Sequence, residues 1–196
     1  MNLSKPIFSV LARKLLQAVL VSLCAWGVPS QAQTAPAGPL PALTAVPSLD
    51  VPRYMGTWHE IAKYPNWFQN KCVSSTQATY SLQPNGRVQV LNRCKTEKGD
   101  WNEALGEARQ MGGPTSAQLK VRFAPEWLSF IPLVWGNYWV IDLDPNYQWV
   151  AISEPQREYL WILSRTQEMS APELQALLTR LVNRGFDPKR IEFSKP

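Results

Sequence analysis

STQATYSLQPNGRVQVLNR, residues 75 to 93, is the stretch of sequence that decides the fold. Ala78 and Tyr80 alternate with polar neighbours in its first half, and Val88 and Val90 do so in its second half. This period of two predicts two β-strands, each with one apolar face. The dipeptide Asn85-Gly86 between them tolerates the positive φ angles of a tight turn. The stretch therefore predicts an antiparallel hairpin.

Short apolar or alternating segments separated by turn residues continue on both sides of this hairpin. Strands are predicted at residues 57–63, 75–82, 87–93, 103–109, 118–123, 138–143, 148–153 and 159–164. Consecutive strands with short connections favour an all-β fold, an eight-stranded up-and-down antiparallel β-barrel. A barrel of about eight strands has an interior that accommodates one small ligand.

The chain then changes from strand to helix periodicity. Leu174, Leu177, Leu178 and Leu181 form one apolar stripe, which predicts a C-terminal α-helix. The helix begins at a Ser170-x-x-Glu173 capping box and is followed by a short final strand at residues 190–193. We expect the stripe to pack against the outside of the sheet.

The first 32 residues have the order of regions typical of a secretory signal peptide: basic, then apolar, then small. Cleavage after Ala32 removes three of the 20 basic residues and none of the 15 acidic ones. The remaining sequence has nearly balanced charge and no run of basic residues, so nucleic acid is not an expected partner. Export also permits disulfides. Cys24 is either discarded with the signal or retained as a lipid anchor, the less favoured reading because Leu23 precedes it.

Residues 33–49 are rich in proline and carry no charge, which is typical of a semi-extended tether. The folded domain is then predicted over residues 50–196. Removal of Cys24 would leave Cys72 and Cys94 as an even pair in an exported protein, which predicts a disulfide.

Three motifs carry a resemblance to a known family. They are Gly56-Thr57-Trp58, the turn Leu143-Asp144-Pro145-Asn146-Tyr147, and the segment Tyr159 to Arg165. Together they resemble the signature motifs of the lipocalins, and the fuller sequence resembles bacterial outer-membrane lipocalins related to apolipoprotein D over roughly residues 50–194. The second motif departs from the family pattern, because Leu143 and Pro145 flank Asp144.

The resemblance implies structural roles for these residues. Gly56 would let the backbone pack closely where the chain enters the barrel, and Trp58 would fill the closed end. Arg165 would lie across Trp58 in a cation–π contact worth about 0.5 to 2 kcal/mol. Asp144 and Tyr147 belong to the second motif.

The resemblance also implies binding of small hydrophobic ligands, such as fatty acids or lysophospholipids, in the cell envelope, with a role in membrane maintenance. No cofactor or metal is expected, because a single histidine offers no metal-ligand spacing. Strand alternation and the predicted barrel give the inward-facing, ligand-binding candidates. They are Ala78, Tyr80, Val88, Val90, Leu119, Val121, Trp139 and Ile141.

The predicted loop at residues 124–137 is rich in aromatic and aliphatic residues and has Glu126 as its one charge. It is expected at the open end of the barrel with the loops at 64–74, 94–102 and 154–158. So much apolar surface predicts an interaction. The loop either admits an acyl chain or contacts a membrane, or it buries itself or forms a homodimer contact.

No catalytic residues are expected. His59 directly follows Trp58, so it should face the other side of the strand, and no nucleophile, base and acid set is recognisable. The alternative function is a lipocalin-fold enzyme of isomerase or de-epoxidase type that uses a free cysteine at the rim, either Cys72 or Cys94.

Overall fold

The computed structural model describes residue 38 and residues 40–196. The predicted signal peptide, its cleavage site and Cys24 lie outside the described residues. The strands are β1 Gly56–Lys63, β2 Ser74–Leu82, β3 Val88–Lys95, β4 Trp101–Gln110, β5 Gln118–Arg122, β6 Gly136–Leu143, β7 Trp149–Ser153, β8 Leu160–Ser164 and β9 Glu192–Phe193. Two α-helices, α1 Val51–Tyr54 and α2 Ala171–Asn183, flank the run of eight strands.

The first eight strands form a closed antiparallel barrel. Each strand from β2 to β8 pairs with its neighbour in the chain, and β1 pairs with both β8 and β2. The predicted up-and-down barrel is therefore confirmed. Because successive strands run in opposite directions, the start of β1 lies at one end of the barrel, called the floor. The loops after β1, β3, β5 and β7 lie at the other end, called the rim.

The short strand β9 lies outside the closed barrel, beside the rim half of β1. Phe193 pairs with Ala62, and the Ser75 N–H donates to the carbonyl of Lys195. The last residues of the chain therefore contact both β1 and β2 on the rim side of the pairs that join those two strands, which run from Gly56 to His59 on β1.

Two apolar clusters form the core, one on each side of the barrel wall. The inner cluster includes Trp58 and fills the floor half of the barrel. The outer cluster lies between the wall and α2, where Leu177 and Leu181 are fully buried. The strands β7 and β8 have apolar side chains on both faces because each face is covered. The predicted packing of the helix on the outside of the sheet is confirmed.

The capping predicted from the sequence determines where α2 begins. Ser170 Oγ accepts from the Glu173 N–H at 3.4 Å and donates to the Glu173 carboxylate. Beyond the helix, Gly185 adopts a φ of +87°, and a Cβ there would approach Leu40 to 2.7 Å. The positive φ favours glycine at this position, whereas the exposed Leu40 side chain could move aside for a Cβ.

The segment predicted as a tether differs from that expectation in its second half. Leu43 packs in the outer cluster and Leu49 in the inner one, at 5% and 1% exposure. The Val46 N–H donates to the Val140 carbonyl, and the Leu49 N–H donates to the Thr115 carbonyl. Leu43 and Leu49 are thus anchors of the domain, which begins several residues before Asp50.

Candidate functional site

The floor of the barrel is closed by Trp58, whose side chain is fully buried. Its indole N–H donates to the Tyr54 carbonyl at 2.8 Å. The Arg165 guanidinium carbon lies 3.8 Å from the ring centroid, and its nitrogens donate to the carbonyls of Arg53, Thr57 and Tyr147. The structure thus contains the cation–π contact that the resemblance implies. Arg165 also ties three backbone segments of the floor together.

Gly56 lies directly beneath this arginine. Its φ is +96°, and a Cβ would lie 3.2 Å from an Arg165 nitrogen. Any side chain here would therefore need a strained backbone and a displaced guanidinium.

The second motif forms a turn at the same end. An Asp144 carboxylate oxygen accepts from the backbone N–H groups of Asn146 at 2.9 Å and Gln148 at 3.1 Å. The Tyr147 hydroxyl accepts from the Asp50 N–H, and the Arg53 guanidinium stacks on the Tyr147 ring. Asp144 therefore caps this turn with Leu143 and Pro145 on either side of it.

Six of the eight predicted inward-facing residues lie in or against the inner cluster. Their side chains alternate with outward-facing ones along β2, β3 and β5, as the sequence predicts. That these side chains contact a ligand stays a prediction. The six are Ala78, Tyr80, Val88, Val90, Leu119 and Val121.

The other two, Trp139 and Ile141, were predicted with the wrong orientation. Both pack in the outer cluster against the helix side of the wall, while Tyr138 and Val140 face inward. Residues 138–141 are all apolar or aromatic, because both faces of β6 are covered, so the sequence offers no alternation from which to choose the face.

The sequence analysis did not identify Tyr54 and Tyr138, whose hydroxyls meet inside the barrel. The Tyr138 hydroxyl lies 2.6 Å from that of Tyr54 and 3.0 Å from that of Tyr80. Burial raises the pKa of Tyr80 to about 12, and it raises the pKa of Tyr54 and Tyr138 well above 10.0. All three side chains are therefore neutral hydrogen-bonding groups at physiological pH.

These tyrosines border a small cavity of about 20 Å³ in the floor half of the barrel. A cavity of this size holds about one water-sized group. Only apolar atoms face the cavity, so the three tyrosines line it with their rings, and the rest of its wall is aliphatic or a methionine. These other residues are Leu49, Val51, Met55, Val88, Val90, Ala108, Leu119 and Val121.

Further along β1, a polar network centred on Glu60 lies toward the rim. The Glu60 carboxylate is buried and accepts from Gln69 Nε2 at 2.7 Å and from Ser194 Oγ at 2.6 Å. The indole N–H of Trp161 donates to the Gln69 side chain at 3.0 Å. The network links β1, β8, the first rim loop and the C-terminal segment. A buried polar network on the rim side of β1 therefore follows the apolar cluster at the floor.

Cys72 and Cys94 form a disulfide, as predicted. Cys72 lies in the loop that follows β1, and Cys94 is buried near the end of β3. The bond therefore ties the first rim loop to the barrel wall. Neither residue is a free thiol, so the enzymatic alternative lacks the rim cysteine on which it depended.

The loop at residues 124–137 exposes its apolar side chains. Two 3₁₀ turns, Glu126–Leu128 and Pro132–Val134, shape it, and the Trp135 indole N–H donates to the Ser129 carbonyl. Trp135 is buried, but three residues named here as the rim patch are largely exposed. They are Trp127 at 72%, Phe130 at 77% and Leu133 at 93%. The alternative in which the loop buries itself is therefore wrong for the rim patch.

Other exposed aromatic side chains lie in the first rim loop. Trp67 is 77% exposed and its ring contacts that of Phe68, which packs against Tyr159 and Trp161.

In the part of the chain that the structure describes, no helix is long and apolar enough to cross a membrane.

The sequence profile of the family described as "Lipocalin-like domain" matches residues 49–196. The chain belongs to the lipocalin family. Among its relatives, this lipocalin is 41% identical to temperature-induced lipocalin-1 of Arabidopsis thaliana over 151 residues, or 76% of this chain and 80% of the relative. It is 38% identical to the outer membrane lipoprotein Blc of Escherichia coli over 146 residues, or 74% and 78% of the two chains.

More distant relatives extend the same relationship. This lipocalin is 29% identical to mouse apolipoprotein D over 161 residues, covering 79% of this chain and 80% of the relative. Among solved structures, insecticyanin from the tobacco hornworm Manduca sexta superposes with a TM-score of 0.61 at 18% identity, covering 81% and 87% of the two chains. The sequence resemblance to bacterial lipocalins related to apolipoprotein D is thus confirmed, and so is the fold.

Proposed function

We propose that this lipocalin binds and carries small hydrophobic ligands, fatty acids or lysophospholipids, in the bacterial cell envelope, where it serves membrane maintenance. The observation that carries the proposal is the closed barrel with an apolar interior at the floor and a polar network toward the rim. An amphipathic ligand matches this gradient when its chain points to the floor and its head group to the rim. Ala78, Tyr80, Val88, Val90, Leu119 and Val121 would form the walls.

The energy of chain burial is large enough for such a carrier. A chain of about 16 carbons gains about 12 kcal/mol on leaving water. Association costs of about 4 to 15 kcal/mol oppose this gain. Because the floor cavity is only about 20 Å³, the inner side chains must move apart to admit the chain. That rearrangement consumes part of the gain, so we expect micromolar rather than tighter binding.

An envelope location has two supports. The relative Blc is named an outer membrane lipoprotein, and the first 32 residues have the pattern of a signal peptide. The nearly balanced charge of the remaining chain does not favour nucleic acid as a partner. Whether Cys24 anchors the protein or is removed is decided by the intact mass of the mature protein.

The ligand proposal is tested with Ala108→Leu, a change at a cavity-lining residue that is 4% exposed. The added carbons occupy the floor, so we expect palmitic acid, measured by quenching of tryptophan fluorescence, to bind at least about tenfold more weakly. The matched control is Ala176→Leu on the exposed face of α2, which should bind as the wild type does. If native mass spectrometry finds no lipid in protein from its own envelope and palmitic acid does not quench, the carrier proposal is wrong.

The rim patch provides a route between the barrel and a bilayer. Trp127, Phe130 and Leu133 lie on one loop at the rim, where a ligand would enter. Insertion of these side chains among lipid chains would remove their apolar surface from water. We therefore include membrane contact through residues 124–137 in the proposal.

Membrane contact is tested with the triple variant Trp127→Ser, Phe130→Ser and Leu133→Ser. We expect its binding to phosphatidylglycerol vesicles in a sedimentation assay to fall by more than about tenfold. A control with three serines at exposed apolar positions away from the loop, Leu82, Leu105 and Val182, should bind normally. The opposing result has two parts: the wild type is a dimer and the triple variant a monomer, while vesicle binding is the same in both. That result would assign the rim patch to a homodimer contact.

A further inference from the structure

The barrel wall has a gap between β1 and β2 toward the rim. These two strands pair only along their floor halves, and the pair nearest the rim joins His59 to Gln77. Residues 60–63 of β1 and 74–76 of β2 extend further toward the rim. The structure describes both segments, and they do not pair with each other. The wall is therefore complete at this point only if another segment of the chain fills the gap.

The last residues of the chain, 192–196 and named here the tail, fill this gap. On one side, β9 pairs with the end of β1, and the Ser194 N–H donates to the Ile61 carbonyl at 2.9 Å. On the other side, the Ser75 N–H donates to the Lys195 carbonyl at 2.9 Å. Ser75 has a φ of +51°, so β2 departs from regular strand geometry where it meets the tail. The tail thus bridges the rim halves of the two strands.

A side chain of the tail also reaches the inside of the wall. Glu60 lies opposite Leu163, which belongs to the inner cluster, so the Glu60 side chain is on the interior face of β1. Ser194 Oγ donates to the buried Glu60 carboxylate at 2.6 Å. Hydrogen bonds to carboxylates are stronger than those between neutral groups. This bond is therefore the main side-chain link between the tail and the barrel.

The tail is nevertheless weakly packed. None of residues 192–196 is buried, and Phe193 is 60% exposed. The floor halves of β1 and β2, in contrast, contribute Trp58, Ala78 and Tyr80 to the inner cluster. Segments with few buried apolar contacts and solvent-exposed hydrogen bonds open locally at a low cost in free energy. On this side of the barrel, the tail should thus detach long before the floor half opens.

We propose that the tail is a latch on the barrel wall, and that its release lets β1 and β2 separate toward the rim and admits the hydrocarbon chain of the ligand. The inference rests on the proposed carrier function and adds the regulation of ligand entry. The floor cavity of about 20 Å³ is too small for an acyl chain, so the wall must widen before a ligand enters. The strand pairs from Gly56 to His59 keep the floor closed while the rim half opens.

The first test is kinetic and uses a truncated chain that ends at Ile191. The association and dissociation rates of palmitic acid are measured by stopped-flow quenching of tryptophan fluorescence. We expect both rates to rise at least about tenfold over the wild type, because the latch is a barrier to entry and to exit. The dissociation constant should change by less than about threefold, since the same barrier is removed in both directions.

The variant Ser194→Ala removes only the bond to Glu60 and keeps the backbone of the tail. We expect both rates to rise by about threefold, less than in the truncated chain, because one hydrogen bond of the latch is lost. The matched control is Ser164→Ala. Ser164 is a buried serine at the floor end of β8 whose Oγ donates to the Gln148 carbonyl, so its loss should leave both rates unchanged.

Hydrogen exchange tests the latch in the wild-type protein without a ligand. The Ser194 and Ser75 N–H groups report on the two sides of the tail, and the Val140 N–H, which donates to the Ala117 carbonyl, reports on the core. We expect the first two to exchange faster and with little dependence on low urea concentrations, as in local opening, whereas Val140 should follow global unfolding. Equal exchange with equal urea dependence at all three would contradict the latch.

The outcomes separate the latch from the carrier proposal. If palmitic acid quenches neither the wild type nor the truncated chain, the carrier proposal is wrong. If it binds both with the same rates, the latch is wrong and the carrier proposal stands. The tail would then only stabilise the fold, and its removal would lower the free energy of unfolding without a change in ligand kinetics. If the truncated chain does not fold, Ser194→Ala and hydrogen exchange decide the question.

Discussion

Replacement of Trp58 by Ala is expected to lower the free energy of unfolding by about 3 to 5 kcal/mol, the usual cost of truncating a buried aromatic side chain. The indole is fully buried, and its ring centroid lies 5.0 Å from that of Tyr54. The guanidinium carbon of Arg165 lies 3.8 Å from the same indole centroid. Truncation removes these contacts, leaves the Tyr54 carbonyl without its donor and opens a cavity at the floor. For a domain of this size, the midpoint of thermal unfolding should fall by about 10 °C.

The matched control is Trp127→Ala, which removes the same side chain from an exposed position. Its unfolding free energy should stay within about 0.5 kcal/mol of the wild type. Urea titrations with an unchanged slope would assign the difference to stability rather than to a change in the unfolded chain. Equal losses in the two variants would show that the floor does not hold the barrel together. Trp58→Phe, which keeps an aromatic ring, should lose less than Trp58→Ala.

The same floor shows why the fold was accessible from the sequence. The combination of Gly56, Trp58 and Arg165 defines a geometry: a positive φ, a buried indole and a guanidinium above it. The hairpin at residues 75–93 was equally predictable, because its outer face is exposed to solvent and its inner face is buried. Where one face of a strand is exposed to solvent, polar and apolar residues alternate, and the apolar positions identify the buried face.

The same reasoning failed where water is absent from both sides. Both faces of β6 are covered at residues 138–141, and all four side chains there are apolar or aromatic. Residue type therefore does not indicate which side chains face the barrel interior. Their orientation depends on the register with β5 and β7, and a bulge between Val140 and Asp142 shifts that register. A one-residue shift exchanges the two faces of a strand.

The candidate site was less predictable than the fold because its key contacts join distant parts of the chain. Tyr54 and Tyr138 are separated by 84 positions, and Glu60 and Ser194 by 134. No local pattern marks such pairs. Leu43 and Leu49 were missed for a similar reason, since a proline-rich segment without charge is typical of a tether whether or not its leucines meet a core.

Loss of the Cys72–Cys94 disulfide is expected to lower the free energy of unfolding by about 3 kcal/mol. The bond closes a loop with a sequence separation of 22, and the entropy that such a crosslink removes from the unfolded chain corresponds to about this value. The closed segment contains β2, the turn and most of β3. Without the crosslink, this hairpin therefore loses more conformational entropy when it folds. We expect the double variant Cys72→Ala and Cys94→Ala to unfold at lower urea.

The slope of that titration is a further part of the prediction. The unfolded variant has no crosslink and exposes more surface, so the slope should rise as the midpoint falls. Dithiothreitol is the control: it should destabilise the wild type to the level of the double variant and leave the variant unchanged. The bond ties the first rim loop to the wall, so its loss should also make Trp67 and Phe68 more mobile and accelerate ligand release. Unchanged stability and unchanged release in the variant would mean that hydrogen bonds such as Gln69 to Glu60 hold this loop without the disulfide.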